Sequence, residues 1–285
     1  MIQDKLVTIT EEAFESILAI LQSRTGIVPR ASHRGGIKSY IERRIKEKNL
    51  SVEQCKDALL SDDVFFTEFV NESTVNETYF FREEKQFTVL KNTIFPQWKA
   101  MFGSMRIKIW SAACSYGEEA YSLALLAKSC GLNVSVTASD INSIVLEHCK
   151  SGVFLDSSIR SVDGVAFQGL LAPYRKDDKK IVFPDEIKDC IRTQKINLSV
   201  IDVPSCKMLL PKNQNIIFLR NVFIYFNQEL RAKILRIIAE SCLAPDGILF
   251  VSMSEIAQID TDIMPSSLEK VFDGTVFYFH KKEVR

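Results

Sequence analysis

Apolar residues in the first seventy positions recur at the three-and-four spacing of helices that bury one face. Phe14, Ile17, Leu18 and Leu21 make one such stripe. Thr10 caps it, Glu11 and Glu12 fill its first turn, and Gly26 and Pro29 close it. After Gly35-Gly36, the positions Ile37, Ile41 and Ile45 predict a second helix with a strongly basic outer side. Ser51 with Gln54 three residues later is a capping-box pair for a third. Val64, Phe65, Phe69 and Val70 define a fourth. The polar run Asn71–Thr78 then marks a boundary. A longer helical pattern from Glu83 to about Trp98 sets Phe87, Leu90 and Ile94 on one side.

The texture changes near residue 106. Strand-like runs at Arg106–Ser111, Val134–Ala138, Ile216–Leu219, Ile248–Ser252 and Val276–His280 alternate with helical stretches at Glu118–Cys130, Ser143–Lys150 and Gln228–Cys242. Short apolar strands alternating with helices predict an α/β fold, a doubly wound and mostly parallel sheet covered on both faces. The stretch from Val153 to Gln194 breaks the alternation. It carries the Lys- and Asp-rich Arg175–Lys180 between two short β-like runs, and reads as a small inserted β-subdomain at about 155–195. The expected division is a helical domain over 1–72 and a sheet domain over 73–285.

Composition narrows the function classes. The 285 residues are 46% hydrophobic and 25% charged, an ordinary globular balance with ample material for a core. Lys+Arg and Asp+Glu are both 36, so the formal net charge is zero and any attraction to an anionic partner must come from a local patch. No apolar run approaches the ~18–20 residues of a membrane span. The start Met1-Ile2-Gln3-Asp4-Lys5 lacks the basic and apolar regions of a secretory signal. Seven cysteines, with no Cys-x-x-Cys pair, fit scattered thiols in a reducing cytoplasm better than a disulfide framework or a zinc site.

In a doubly wound sheet, ligands bind beyond the carboxyl ends of the strands. After the first strand stands Ala112-Ala113-Cys114-Ser115-Tyr116-Gly117-Glu118-Glu119, whose small residues admit a ligand close to the backbone, or make an ordinary strand-to-helix turn. It holds one glycine only and is not the dinucleotide fingerprint. Asp140, 21 residues after Glu119, ends the second strand, where an acid either accepts from ribose hydroxyls or caps the next helix. Two carboxylates without phosphate-binding glycines disfavour a pyrophosphate and suit a cationic adenosine cofactor such as S-adenosylmethionine. Two arginine-aromatic clusters, Thr78–Glu83 and Leu219–Phe226, look like an anionic-substrate site beside it, or like core aromatics with locally paired arginines.

With these residues in view, the chain resembles the CheR-type chemotaxis receptor-glutamate methyltransferases. The segments are NETYFFRE (76–83), WSAACSYGEEAYSLA (110–124), ASDIN (138–142), LRNVFIYF (219–226) and LAPDGILFVSMSE (243–255), with the pair Asn197-Leu198. Their order and spacing fit from about residue 10 to the end. The resemblance implies a class I S-adenosylmethionine-dependent methyltransferase domain behind an N-terminal all-α domain. It implies methyl transfer to glutamates on the cytoplasmic methylation helices of transmembrane chemoreceptors. Carried over by position, Asn76, Thr78 and Arg82 match cofactor-site residues. Glu119, placed over Glu118 by the following Tyr-Ser, matches the acid at the cofactor's amino group. Asp140 matches the ribose acid and Asn197-Leu198 the adenine side. Arg220 and Asn221 match cofactor-proximal positions, and Tyr225 a position beside the methyl. The catalytic set implied is Arg82, Arg220 and Tyr225, with no metal.

Two departures stand out. Tyr116 is bulkier than the small residue expected at its place in the adenosine pocket. The loop Tyr174–Ile181 has no glycine and is short, which argues for a member that does not tether to a receptor's C-terminal pentapeptide. Between Arg30 and Lys48 seven Lys/Arg face Glu42 and Glu47, so Lys38, Arg43, Arg44 and Lys46 are the expected receptor contacts; a plain solvated helix face is the other reading. Little aromatic interleaving accompanies them, so nucleic acid is not the expected partner. The competing functions are a methyltransferase with another acceptor and a non-catalytic cofactor-binding signalling protein. The expected location is cytoplasmic, at membrane receptor arrays, with no membrane insertion.

Overall fold

The computed structural model describes residues 8–259 and 261–282. Four helices open the chain: α1 (Glu11–Thr25), α2 (Ala31–Lys48), α3 (Val52–Ser61) and α4 (Asp63–Ser73). The caps are those the sequence predicts. Thr10 accepts from Ala13 N, Gly26 ends α1 in the left-handed conformation, and Ser51 and Gln54 form a reciprocal box. Gly35 and Gly36 do not precede α2 but lie within it. Burial of Ile37, Tyr40, Ile41 and Ile45 outweighs the roughly 1 kcal/mol that each glycine costs a helix. On α4, Val64 is 70% exposed and Phe66 takes the inward place assigned to it. These helices share a core built on Phe14, Ile17, Ile41, Phe65 and Phe69.

The polar boundary begins later than expected, because α4 runs to Ser73. Beyond it, α5 (Glu84–Val89) continues through a π-helical turn at Leu90–Ile94 into α6 (Phe95–Phe102), one helical run longer than the predicted one. Then come β1 (Ile107–Ala112), α7 (Glu118–Ser129), β2 (Val134–Asp140), α8 (Ser143–Ser151), β3 (Val153–Leu155), β4 (Lys180–Val182), α9 (Asp185–Lys188), β5 (Ile191–Lys195), α10 (Pro204–Leu209), β6 (Gln214–Leu219), α11 (Gln228–Ile237), β7 (Leu243–Phe250), β8 (Leu268–Asp273) and β9 (Val276–Lys281).

Seven strands form one sheet in the order β5-β2-β1-β6-β7-β9-β8. The first five are parallel and β9 runs antiparallel to both neighbours. This is the doubly wound, mostly parallel sheet of the class I methyltransferase expectation. Its two faces are packed separately, with Ile107 and Ile109 of β1 on one side and Trp110 and Ala112 on the other.

The insertion differs from the expected 155–195 in extent and in kind. Residues 191–195 are β5, the edge strand of the main sheet beside β2. The inserted part is a hairpin of two three-residue strands, β3 and β4, joined by a segment of 3₁₀ turns. No helix among the described residues is long and apolar enough to cross a membrane.

Candidate active site

The chain runs from β1 to β2 and β5 on one side and returns to β6 on the other, so the order reverses between β1 and β6. Above the carboxyl ends of these strands lies a cleft enclosing about 1070 Å³, its open mouth included. Its walls come from four strand ends, the 73–82 segment and the α1–α2 corner. All ten residues expected at the cofactor or methyl line it: Asn76, Thr78, Arg82, Glu119, Asp140, Asn197, Leu198, Arg220, Asn221 and Tyr225. They come from five separate stretches of chain.

Asp140 does not cap the following helix. Asn142 does, accepting from Ile144 N and Val145 N. Each oxygen of Asp140 accepts one backbone N–H, from Asn142 and from Ser115, both at 2.9 Å, which leaves lone pairs on both oxygens for further donors. Burial raises its pKa, against the lowering effect of those N–H groups. Ser115, which donates to Asp140, has a left-handed backbone (φ 52°), and Ala113 two residues earlier shares that conformation (φ 61°). Tyr116 turns its ring onto His148, 5.0 Å away, and does not line the cleft, so its bulk leaves the adenosine region free.

Arg220 is the most buried cation here, at 4% exposure. Its Nη2 donates to the Arg82 carbonyl at 2.6 Å, and its Nη1 lies 3.2 Å from Glu119 Oε2. Nε and Nη1 have no hydrogen-bond acceptor in correct geometry. A buried guanidinium with two unmatched donors beside a cleft is fitted to an incoming carboxylate. Glu119 also accepts from Ser111 Oγ at 2.6 Å; burial raises its pKa while Arg220 pulls it down. Glu118 points elsewhere, accepting from Ser158 Oγ in the insertion. The acidic floor and the unmatched donors fit a zwitterionic, cationic adenosine cofactor.

The comparisons with known proteins decide the family. Residues 76–270 match the model of the CheR methyltransferase, SAM binding domain. The chemotaxis protein methyltransferase 1 of Vibrio cholerae is 32% identical over 268 residues, 87% of this chain and 90% of that one. The chemotaxis protein methyltransferase of Vibrio parahaemolyticus is 33% identical over 272 residues, with the same coverage. That of Escherichia coli is 30% identical over 257 residues, 87% of this chain and 86% of its own.

The chain belongs to the CheR methyltransferase family. It is an S-adenosylmethionine-dependent methyltransferase, and the matched range spans the positions of the expected cofactor residues. Several of those CheR-type positions do structural work here. Asn197 donates to the Arg24 carbonyl of α1 and accepts from Ser199 N. Asn221, at φ 56°, donates through its backbone to Glu255 and through its side chain to Ser252. Asn76 donates to Thr74 Oγ1, which also receives Asn142.

Sequence reasoning missed Arg30, His33, Glu83 and Glu255. Arg30 and His33 come from the start of α2 and line the cleft, with the Arg30 guanidinium 5.8 Å from the Tyr225 ring. Glu83 accepts from Ser252 Oγ and Met253 N, and fully buried Glu255 accepts from Asn221 N and Ile224 N. No spacing rule links residues 30, 83, 220 and 255; only the fold does.

The basic face of α2 is largely paired within its own domain. Arg34 meets Glu11 and Glu15, Lys38 meets Glu11, and Arg44 meets Glu47 and Glu68. Arg43 keeps 58% of its side chain exposed, with Glu47 at 4.0 Å. The expected basic patch is therefore partly neutralised by ion pairs of Arg34, Lys38 and Arg44, while Arg43 stays exposed.

Proposed function

We propose that this protein transfers the methyl group of S-adenosylmethionine to glutamate side chains on the cytoplasmic methylation helices of transmembrane chemoreceptors, giving glutamyl methyl esters. The supporting observation is the array of cations along one cleft. Arg30 is exposed, Arg82 partly buried and Arg220 buried, and Tyr225 stands among them. Such a graded array draws in and orients an anionic acceptor.

Bound in the cleft, S-adenosylmethionine supplies an electrophilic methyl on a sulfonium. Glu119 and Arg220 would hold its amino and carboxylate groups, Asp140 its ribose, and the 196–198 turn its adenine. A glutamate is ionised at neutral pH, so the acceptor needs no general base. A carboxylate oxygen forms the new C–O bond in line as the C–S bond breaks, and opposite charges are lost together. Arg82 and Tyr225 therefore position the carboxylate without over-stabilising it, since tighter ground-state binding would slow the step.

On α2 exposed Arg43 offers a contact for the receptor, with Lys38, Arg44 and Lys46 on the same helix. The loop at 174–181 supports methylation without a tail tether. It leads into the three-residue strand β4, and a bridge between Arg175 and Ile181 already closes the turn. The work site is the cytoplasmic side of receptor arrays, reached through the receptor.

The test is incubation with methyl-labelled S-adenosylmethionine and receptor-containing membranes, then mild alkali. Label on receptor-sized bands that leaves as methanol is expected. Alkali-stable label would assign a different acceptor, and no label despite cofactor binding would favour a binding-only protein.

A further inference from the structure

The 3₁₀ segment of the insertion grips the strand of chain that carries Arg82. We propose that Asp163 is a positioning residue for Arg82, and that this segment is a clamp on the acceptor side of the active site. The inference rests on the role given to Arg82 above. Asp163 makes four hydrogen bonds. Oδ2 accepts from Tyr79 OH at 2.9 Å and Glu83 N at 2.7 Å, and Oδ1 from Glu84 N at 3.0 Å and Gly164 N at 2.9 Å.

The peptide joining Arg82 to Glu83 is held at both ends. Asp163 takes its N–H, and Arg220 donates to its carbonyl at 2.6 Å. Glu83 stands in the left-handed region at φ 60°, a conformation a glutamate adopts only under constraint. The guanidinium of Arg82 is steered by the same anchor. It donates to the Glu77 carbonyl at 2.9 Å and lies 5.5 Å from the Tyr79 ring, whose hydroxyl Asp163 fixes. Arg160, also from the insertion, covers that ring at 5.4 Å. Further contacts close the clamp: Phe80 N donates to the Ser158 carbonyl, and Ala166 N to Glu84. Gly164 (φ +72°) seats against the loop so closely that a Cβ would lie 2.7 Å from the Phe80 carbonyl oxygen.

A group that acts only through Arg82 has nothing to contribute once Arg82 is gone, which a double-mutant cycle detects. Receptor methylation and S-adenosylhomocysteine affinity are measured for Asp163→Asn, Arg82→Ala and the double variant. An amide cannot accept from all four donors, so Asp163→Asn is expected to lower kcat about 10-fold, below the roughly 100-fold that a full 1 Å misplacement can cost. The double variant should match Arg82→Ala within about two-fold. A double variant about 10-fold below Arg82→Ala would overturn the proposal, because the effects would then be independent. So would an unchanged kcat for Asp163→Asn. If Arg82→Ala alone leaves turnover and affinity unchanged, the role of Arg82 falls, and the positioning role with it; additivity removes the latter alone. Should Asp163→Asn fail to fold, Tyr79→Phe enters the same cycle, with the same two outcomes.

Discussion

At the residue scale, two carboxylates hold the most informative energetics. Burial raises the pKa of Asp140 and Glu119 in the ligand-free fold. A carboxyl raised on folding binds more protons in the native state. It imposes no cost below its unfolded pKa, and destabilises increasingly as pH rises from there to its folded value. A ligand carrying an ammonium and ribose hydroxyls favours the ionised forms. S-adenosylhomocysteine should therefore release protons on binding in the window just above the ordinary carboxylate range, with affinity rising with pH there. Calorimetry in two buffers of different ionisation enthalpy reads this directly. Asp140→Ala should shrink the proton release and weaken binding about 10-fold or more, as expected for two charge-assisted hydrogen bonds. Unchanged affinity would remove Asp140 from the ribose role.

At the element scale, α2 carries two arginines that sequence alone treats as equivalent. Arg43 is exposed, with Glu47 one turn along its own helix at 4.0 Å. Arg44 bridges Glu47 on its own helix to Glu68 on α4, with its side chain only 20% exposed. Arg43→Glu should lower receptor methylation while leaving melting temperature and cofactor affinity unchanged. Arg44→Glu gathers three carboxylates and should also destabilise the protein by about 1–2 kcal/mol, read as a lower denaturation midpoint. Equal stability of the two variants would show that the ion pairs of Arg44 contribute nothing.

At the scale of the whole molecule, the cleft belongs to both halves of the chain. Val28 N donates to the Tyr225 carbonyl at 3.3 Å, Asn197 to the Arg24 carbonyl at 2.8 Å, and Ser143 N to Asn71 at 2.9 Å. Thr25, Ile27 and Arg30 line the cavity directly. Deleting residues 1–72 should leave a folded sheet with S-adenosylhomocysteine affinity reduced at least about 10-fold, because one wall and its desolvation are lost. Retained affinity in a folded deletion protein would make the helical domain dispensable for the cofactor.

The sequence by itself determined the α/β class, the helix caps at Thr10 and Ser51 and the apolar central strands, because these depend on local periodicity or on short motifs, while the ten cleft residues were named through the resemblance to the CheR-type family. It did not determine β5 and β8, short edge strands in which polar residues interrupt the apolar ones and most side chains are half-buried or exposed. Gly35-Gly36 marked a helix start that tertiary packing of Ile37 and Ile41 overrode. Only the tertiary structure decided that Arg44 reaches Glu68 on α4 while Arg43 stays exposed, and that Asp163 holds Glu83 N from 80 positions away. Each of these is a choice of partner across the fold, and hydrogen-bond partners far apart in a chain leave no spacing to read.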